Sequence, residues 1–234
     1  MQVKKHLSEK TTDLRHVVLY SLLTAASVGG LGINAACEES EVDSKDSLSS
    51  TDVIQATETG ELPILASGPT YKIYDAGVKR YGALTALVQS SKSPISLGAE
   101  MRPYMDTQRY WKFVRSNGIA IPEDSPQEIY VYNWIEKAQG KMVFDVGAQV
   151  GDKEADRTFP KWLQIKSYKP MKFASLVYVG PFPHQEGSGW EEIRWEDRAR
   201  DKGCVYDERM YRELYHRFDY QKYQHITEIQ ISVE

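Results

Sequence analysis

From Glu61 to its end the chain runs twice through one order of elements: strand, helix, strand, strand. In the first pass "YKIYDAGVKRYGALTALV" (Tyr71 to Val88) reads as one bent strand or two short ones. A helix is predicted over Pro103 to Ser116, with Pro103 suited to a first turn and Tyr104, Thr107, Trp111 and Val114 at helical spacing. Asn117-Gly118 ends it. "EIYVYNWI" (Glu128 to Ile135) and "KMVFDVGAQV" (Lys141 to Val150) then form two strands around a loop containing Gly140. After a polar loop from Gly151 to Thr158, the second pass opens with the strand "MKFASLVYVG" (Met171 to Gly180). Ser188 and Glu191 have capping-box spacing, so a helix is predicted from Gly189 to Gly203, carrying Trp190, Ile193, Trp195 and Ala199. "MYRELYHRF" (Met210 to Phe218) and "ITEIQISV" (Ile226 to Val233) complete the second strand pair. Each layer must bury one face against another. Two such modules, spanning 61–150 and 160–234, therefore imply an α+β fold: fused βαββ halves with antiparallel sheets, pseudo-twofold symmetry and a groove between two helices.

The third element of each half carries Glu-aliphatic-Tyr: Glu128-Ile129-Tyr130 and Glu213-Leu214-Tyr215. Strand alternation places Tyr211, Glu213, Tyr215 and Arg217 on one face and Leu214, His216 and Phe218 on the other. A carboxylate between two tyrosines suits either a solvated face or a pocket for something cationic. In the second case removal from water is costly unless the charge is paired. An organic cation restores the pairing and adds cation-π attraction of about 0.5 to 2 kcal/mol per well-placed ring. The 15 tyrosines and 5 tryptophans supply rings with polar tips, which suit lined pockets. Taken singly, Tyr211, Tyr215, Tyr130, Tyr132 and Trp134 are better accounted for by packing of an amphipathic sheet. Trp190 and Trp195 are five residues apart and cannot share a helix face, and Trp111 is expected in the core.

The first 60 residues follow other rules. A polar start with Lys4, Lys5, Lys10 and Arg15 precedes the apolar run "VVLYSLLTAASVGGLGI" and then "NAAC". Small residues before a cysteine resemble a bacterial lipobox, in which the leader 1–36 is removed and Cys37 is lipidated. A plain secretory signal and an uncleaved anchor over Val17 to Ala36 are the other readings; that stretch has 20 residues, about the minimum span. Glu38 to Gly60 is rich in Ser, Thr, Asp and Glu and is expected to be a disordered tether. The localisation expected is export, with attachment to a membrane through lipid on Cys37 and the domain facing the periplasm or the cell surface.

Other chemistries find little support. A net charge of -4 and a pI near 5.8 give no field for a phosphate backbone, so no nucleic-acid partner is expected. Two cysteines, Cys37 and Cys204, are too few for a disulfide framework or a zinc site, and Cys204 is expected as a small buried residue. His184 and His216 have no Cys or Asp at ligand spacing, so neither a metal nor another cofactor is expected. Ser188 has Glu186 and Trp190 where a nucleophile elbow needs glycines.

"YVGPF", the early Trp of "GWEEI", "RELY" and the terminal "TEIQISV" together resemble the C-terminal half of GyrI-like domains, which also form the effector-binding part of multidrug-responsive transcription activators. The likeness spans about Tyr71 to Glu234 and is strongest over Phe173 to Val233. It implies a central groove for small, often cationic and aromatic, molecules, with Glu213 at its bottom as counter-charge, Tyr215 beside it and Trp190 on the helix wall. Tyr211, Tyr130 and Trp134 are the further candidate ligand-binding residues. Some members of the family hydrolyse strained electrophiles with a pocket Glu and Tyr, so the alternative implied is a hydrolase with Glu213 as general base and Tyr215 as hydrogen-bond donor.

Overall fold

The computed structural model describes residues 49–94, 107–133, 141–181, 193, 203–219 and 224–234, all within one compact unit, Ala35–Glu234. Its elements are α1 (Ser50–Thr59), β1 (Ile64–Ser67), β2 (Lys72–Tyr81), β3 (Leu84–Pro94), α2 (Thr107–Ser116), β4 (Glu128–Asn133), β5 (Lys141–Gln149), a single 3-10 turn (Asp152–Glu154), β6 (Gln164–Tyr168), β7 (Met171–Gly180), β8 (Tyr206–Asp219) and β9 (Gln224–Val233). The fold is α+β. One open sheet has the order β1-β2-β7-β9-β8-β4-β5-β3-β6, and its neighbours pair antiparallel. The stretch Tyr71 to Val88 is two strands, β2 and β3. The helix expected from Gly189 to Gly203 lies outside the described residues apart from Ile193 and Gly203.

A short connection bends this sheet. β2 and β3 stand second from opposite ends, yet only residues 82 and 83 join them. Such a link reaches roughly 10 Å, so the sheet must curl until the two strands approach. The curl encloses Tyr81, Leu84, Val88, Ile129, Phe173 and Leu214, drawn from five strands into one cluster. Where β3 crosses β5, a Cβ on Gly147 would sit 2.0 Å from the Leu87 carbonyl oxygen, so only glycine fits. On the outer face α2 buries Tyr110 and Val114 against Leu87, Ala148 and Leu163, and Tyr110 donates its hydroxyl to the Leu87 carbonyl at 2.7 Å. The buried stripe of α2 thus runs through Tyr110 and Val114, and Trp111 stands at its margin. Gly118, at φ 58°, ends the helix at the expected place.

Residues 50–59 correct the expectation of a tether up to Gly60. Ser49 accepts the Asp52 N–H at 3.1 Å, and Gly60 closes the helix in the left-handed conformation at φ 74°. Val53, 0% exposed, packs on Tyr74, Ala76, Val177 and Ile226 inside the curl. Ser50 Oγ and His216 Nδ1 lie 2.8 Å apart, and His216 Nε2 is 3.3 Å from Glu228 Oε2. One apolar anchor, two caps and a buried polar contact therefore order a segment whose composition alone is too polar to fold. The expectation missed how much a docking surface supplies to a short helix.

Glu228 is the hub of a polar network within the curl. It accepts from Tyr81 Oη and, at 3.0 Å, from Gln230 Nε2. Burial alone would raise its pKa; the hydrogen bond and charge of His216, with help from Tyr81 and Gln230, outweigh this and hold it at about 2. Arg212, 2% exposed, lays its guanidinium 3.9 Å from the Phe173 ring centroid. Burial lowers its pKa to about 10, with Tyr81 and Glu228 opposing, so it stays charged at neutral pH. Because the folded value of Glu228 lies below the ordinary 4.5, its stabilisation is complete above that pH and is lost as the pH falls toward 2. Urea midpoints measured between pH 6 and pH 2 should fall across this window, and Glu228→Gln should flatten the fall. Parallel profiles for the two proteins would contradict the assignment.

Candidate functional site

β8 carries different chemistry on its two faces. Arg212, Leu214 and His216 point into the curl; Glu213 and Tyr215 point to the outer face, the side on which α2 packs. The alternation then breaks, because pairing with β9 slips by one residue between Tyr215 and Arg217. Phe218 therefore joins the outer face and stacks on Tyr215, with ring centroids 5.1 Å apart and planes 5° from parallel. Arg217 swings toward α1 and meets Glu58 at 2.8 Å. This corrects the sequence expectation, which placed Phe218 with His216 and Arg217 with Glu213. An unbroken period of two cannot anticipate a bulge.

Glu213 is 0% exposed. Its Oε2 accepts the hydroxyl of Tyr215 at 2.7 Å. Around it the β4–β8 register sets Tyr130 opposite Glu213 and Tyr132 opposite Tyr211. The rings touch edge to face: Tyr130 and Tyr215 at 5.0 Å, Tyr132 and Tyr211 at 5.2 Å. Phe144 on β5 closes the cluster behind Tyr130 and Tyr132, at 5.9 and 4.6 Å. Glu213 thus shares one face of the strand pair with Tyr130, Tyr132, Tyr211 and Tyr215, and ring faces and a carboxylate attract the same kind of guest, an organic cation.

The second Glu-x-Tyr makes the same internal bond. Tyr130 donates its hydroxyl to Glu128 Oε2 at 3.0 Å, and the indole N–H of Trp111 reaches Glu128 Oε1 at 3.1 Å. Glu128 is 7% exposed and forms part of a solvent-open hollow of about 540 Å³, with Trp111 and Phe218 among its walls and Arg115 and Glu123 also lining it.

Of the residues singled out in the sequence, Glu213, Tyr215, Tyr211 and Tyr130 come together here. Trp134, Trp190 and Cys37 lie outside the described residues. Glu128, Phe144, Phe218 and Trp111 were missed as site residues. The signal for Glu128 was present in the repeated motif, while Phe218 depends on the bulge. Cys204 is buried, as expected, but it is disulfide-bonded rather than a simple buried thiol. Among the described residues no three His, Cys, Asp or Glu side chains are grouped to hold a metal ion, and no helix is long and apolar enough to cross a membrane.

Tyr215→Phe keeps the ring stack but removes a donor from a buried carboxylate. Loss of that bond should lower stability by about 1 to 3 kcal/mol, read from urea denaturation at neutral pH. An unchanged midpoint would show that the hydroxyl is not what satisfies Glu213.

No protein-family model matches the chain, and no curated protein matches it. Among solved structures the chain is similar to SAV2435 bound to tetraphenylphosphonium, with a TM-score of 0.49 and 15% identity over 67% of this chain and 92% of that one. It is similar to a bacterial transcription regulation protein from Staphylococcus aureus MU50, with a TM-score of 0.49 and 16% identity over 67% and 96% of the two chains. It is also similar to EcmrR in a DNA complex, with a TM-score of 0.48 and 12% identity over 77% of this chain and 62% of that one. Identities are low and TM-scores fall below 0.5, so the roles of the residues rest on the distances above.

Proposed function

We propose that this protein binds a hydrophobic, cationic or aromatic small molecule against Glu213 in a GyrI-like groove on the outer face of the sheet. The observation that carries the reading is a fully buried carboxylate ringed by Tyr130, Tyr132, Tyr211 and Tyr215. Since Glu213 has no exposed surface, a guest reaches it only when the rings part. Phe218, partly buried and facing the hollow, is the ring placed to move first. Trp190 and Trp134 are assigned to the same groove, and the two halves are assigned to a pseudo-twofold axis passing between Ile129 and Leu214, which face each other in the β4–β8 pair.

Calorimetric titration of the intact chain with tetraphenylphosphonium should give saturable binding, and Glu213→Gln should weaken it at least tenfold. Unchanged affinity in that variant would remove the counter-charge role. The hydrolase alternative uses the same Glu213 and Tyr215, but here the Tyr215 hydroxyl is directed at Glu213 itself. Binding without turnover therefore fits the geometry better, and a guest recovered chemically intact after incubation is the expected result.

Export with lipid on Cys37 belongs to the same proposal and is supported by the leader-like first 36 residues. The disulfide at Cys204 fits an oxidising compartment outside the cytoplasm, which supports export, but it stands against lipid on Cys37. The two features compete for one thiol, because the chain has a single other cysteine, Cys37, and a sulfur engaged in a disulfide cannot carry a thioether-linked lipid. Intact-mass measurement of protein from a native membrane fraction, with and without reductant, should show a mature N-terminus at Cys37 bearing lipid. A chain lacking lipid and gaining two hydrogens on reduction would replace the anchor with an intramolecular bridge.

A further inference from the structure

Helix α1 and strands β8 and β9 bring a serine, a histidine and a glutamate into line on the inner side of the sheet, the side away from Glu213. Ser50 Oγ lies 2.8 Å from His216 Nδ1, and His216 Nε2 lies 3.3 Å from Glu228 Oε2. Glu228, held at a pKa of about 2, is ionised at neutral pH and can only accept. The ring proton of neutral His216 therefore sits on Nε2, which leaves Nδ1 as an acceptor facing the Ser50 hydroxyl. A hydroxyl bonded to one ring nitrogen, with a carboxylate orienting the other, is the arrangement that activates a serine nucleophile. The ring is turned relative to the usual triad, in which Nε2 faces the serine, but either nitrogen can take the proton.

Ser50 also opens a helix, where backbone N–H groups have no partner within the helix itself. The N–H of Thr51, the residue after the serine, donates to Asp124 Oδ1 at 2.9 Å, and the Ser50 N–H donates to the Asp124 carbonyl at 3.0 Å. An N–H directly after the nucleophile is one of the donors that hold the oxyanion in acyl transfer. Here an anionic oxygen already occupies it. Asp124 is exposed, so its side chain can turn outward and release that donor to a substrate oxygen. The same loop leads to a place for the rest of a substrate. Pro122, Glu123 and Ser125, on either side of Asp124 in the chain, line the solvent-open hollow of about 540 Å³, with Trp111 and Phe218 among its other walls. That volume is within the range of about 300 to 1,000 Å³ usual for small-molecule sites.

We infer that Ser50 is a nucleophile with His216 as its base, and that the protein hydrolyses small carboxylic esters whose apolar acyl or aryl group lodges in this hollow. The activity is separate from the binding read at Glu213 and does not rest on it. In the first half-reaction Ser50 Oγ bonds to the ester carbonyl carbon while its proton passes to His216 Nδ1. The bond from that carbon to the alcohol oxygen then breaks, and the alcohol leaves with the proton from His216. In the second half-reaction water attacks the acyl group on Ser50 and gives a proton to His216, which returns it to Ser50 Oγ as the carboxylic acid departs. Glu228 stays ionised throughout and positions the ring, stabilising the imidazolium formed between the two transfers.

The test treats the intact chain with a fluorophosphonate, which phosphonylates activated serines, and separately with p-nitrophenyl butyrate. Peptide mapping should place the phosphonate on Ser50, and p-nitrophenol should be released over many equivalents per chain. Ser50→Ala, which removes only the hydroxyl, should abolish labelling and lower turnover by about a hundredfold or more. No adduct at Ser50, or turnover undiminished in Ser50→Ala, would overturn the inference. An adduct at Ser50 with no more than a single equivalent of p-nitrophenol released would overturn it as well, because the acyl group would then remain on the serine. Mapping of the wild-type adduct needs no variant, so it decides the question even if Ser50→Ala fails to fold.

Discussion

The register between β4 and β8 is the constraint on which the site depends. It sets Tyr130 against Glu213 and Glu128 against Tyr215, so that each carboxylate lies beside the tyrosine of the opposite strand while bonding the one on its own. A slip of one residue in either strand would turn its carboxylate into the curl and present Ile129 or Leu214 to the outer face. That slip is opposed from within, because Ile129, Val131 and Leu214 are packed in the enclosed cluster. Hydrophobic burial on one side of the strand pair therefore fixes polar chemistry on the other.

The interior of the curl adds a second restraint on β8. Arg212 on Phe173 and His216 beside Glu228 hold the alternate positions of the strand on which Glu213 and Tyr215 are displayed. Buried charges such as Glu228 are costly to desolvate and do not by themselves show added stability. What they do add is direction, since each has partners on one side of the sheet only. The bulge after Tyr215 then releases the strand from this pattern and brings Phe218 over the ring cluster. Helix α1 docks on the inner side through Val53 and Ser50, tying the segment before the sheet to the strand that carries the site.

Much of the sheet was legible in the sequence because its strands are apolar runs rich in β-branched and aromatic residues: β4, β5, β7 and β9 fall close to where those runs lie. β1 and β6 were not foreseen. Both are short edge strands: β1 folds back on the β2 that directly follows it, while β6 depends on β3, far back along the chain. α1 was hidden by composition, although Ser49 and Gly60 are cap residues that could have marked its ends. Glu213 with Tyr130, Tyr211 and Tyr215 could be gathered from a repeated motif and alternation. Glu128 was visible in the same motif, but its contact with Trp111 requires α2 to lie on the outer face, which no local pattern specifies. Phe218 belongs to the site only through a slip in register, a property of the strand pair rather than of the strand.

The most direct measurement is a crystal structure with a lipophilic cation bound. The cationic centre should lie within about 6 Å of the ring centroids of Tyr130, Tyr211 or Tyr215, as cation-π attraction requires, and nearer to Glu213 than to any other carboxylate. A cation bound elsewhere, with the tyrosine cluster closed and Glu213 still buried as before, would contradict the account.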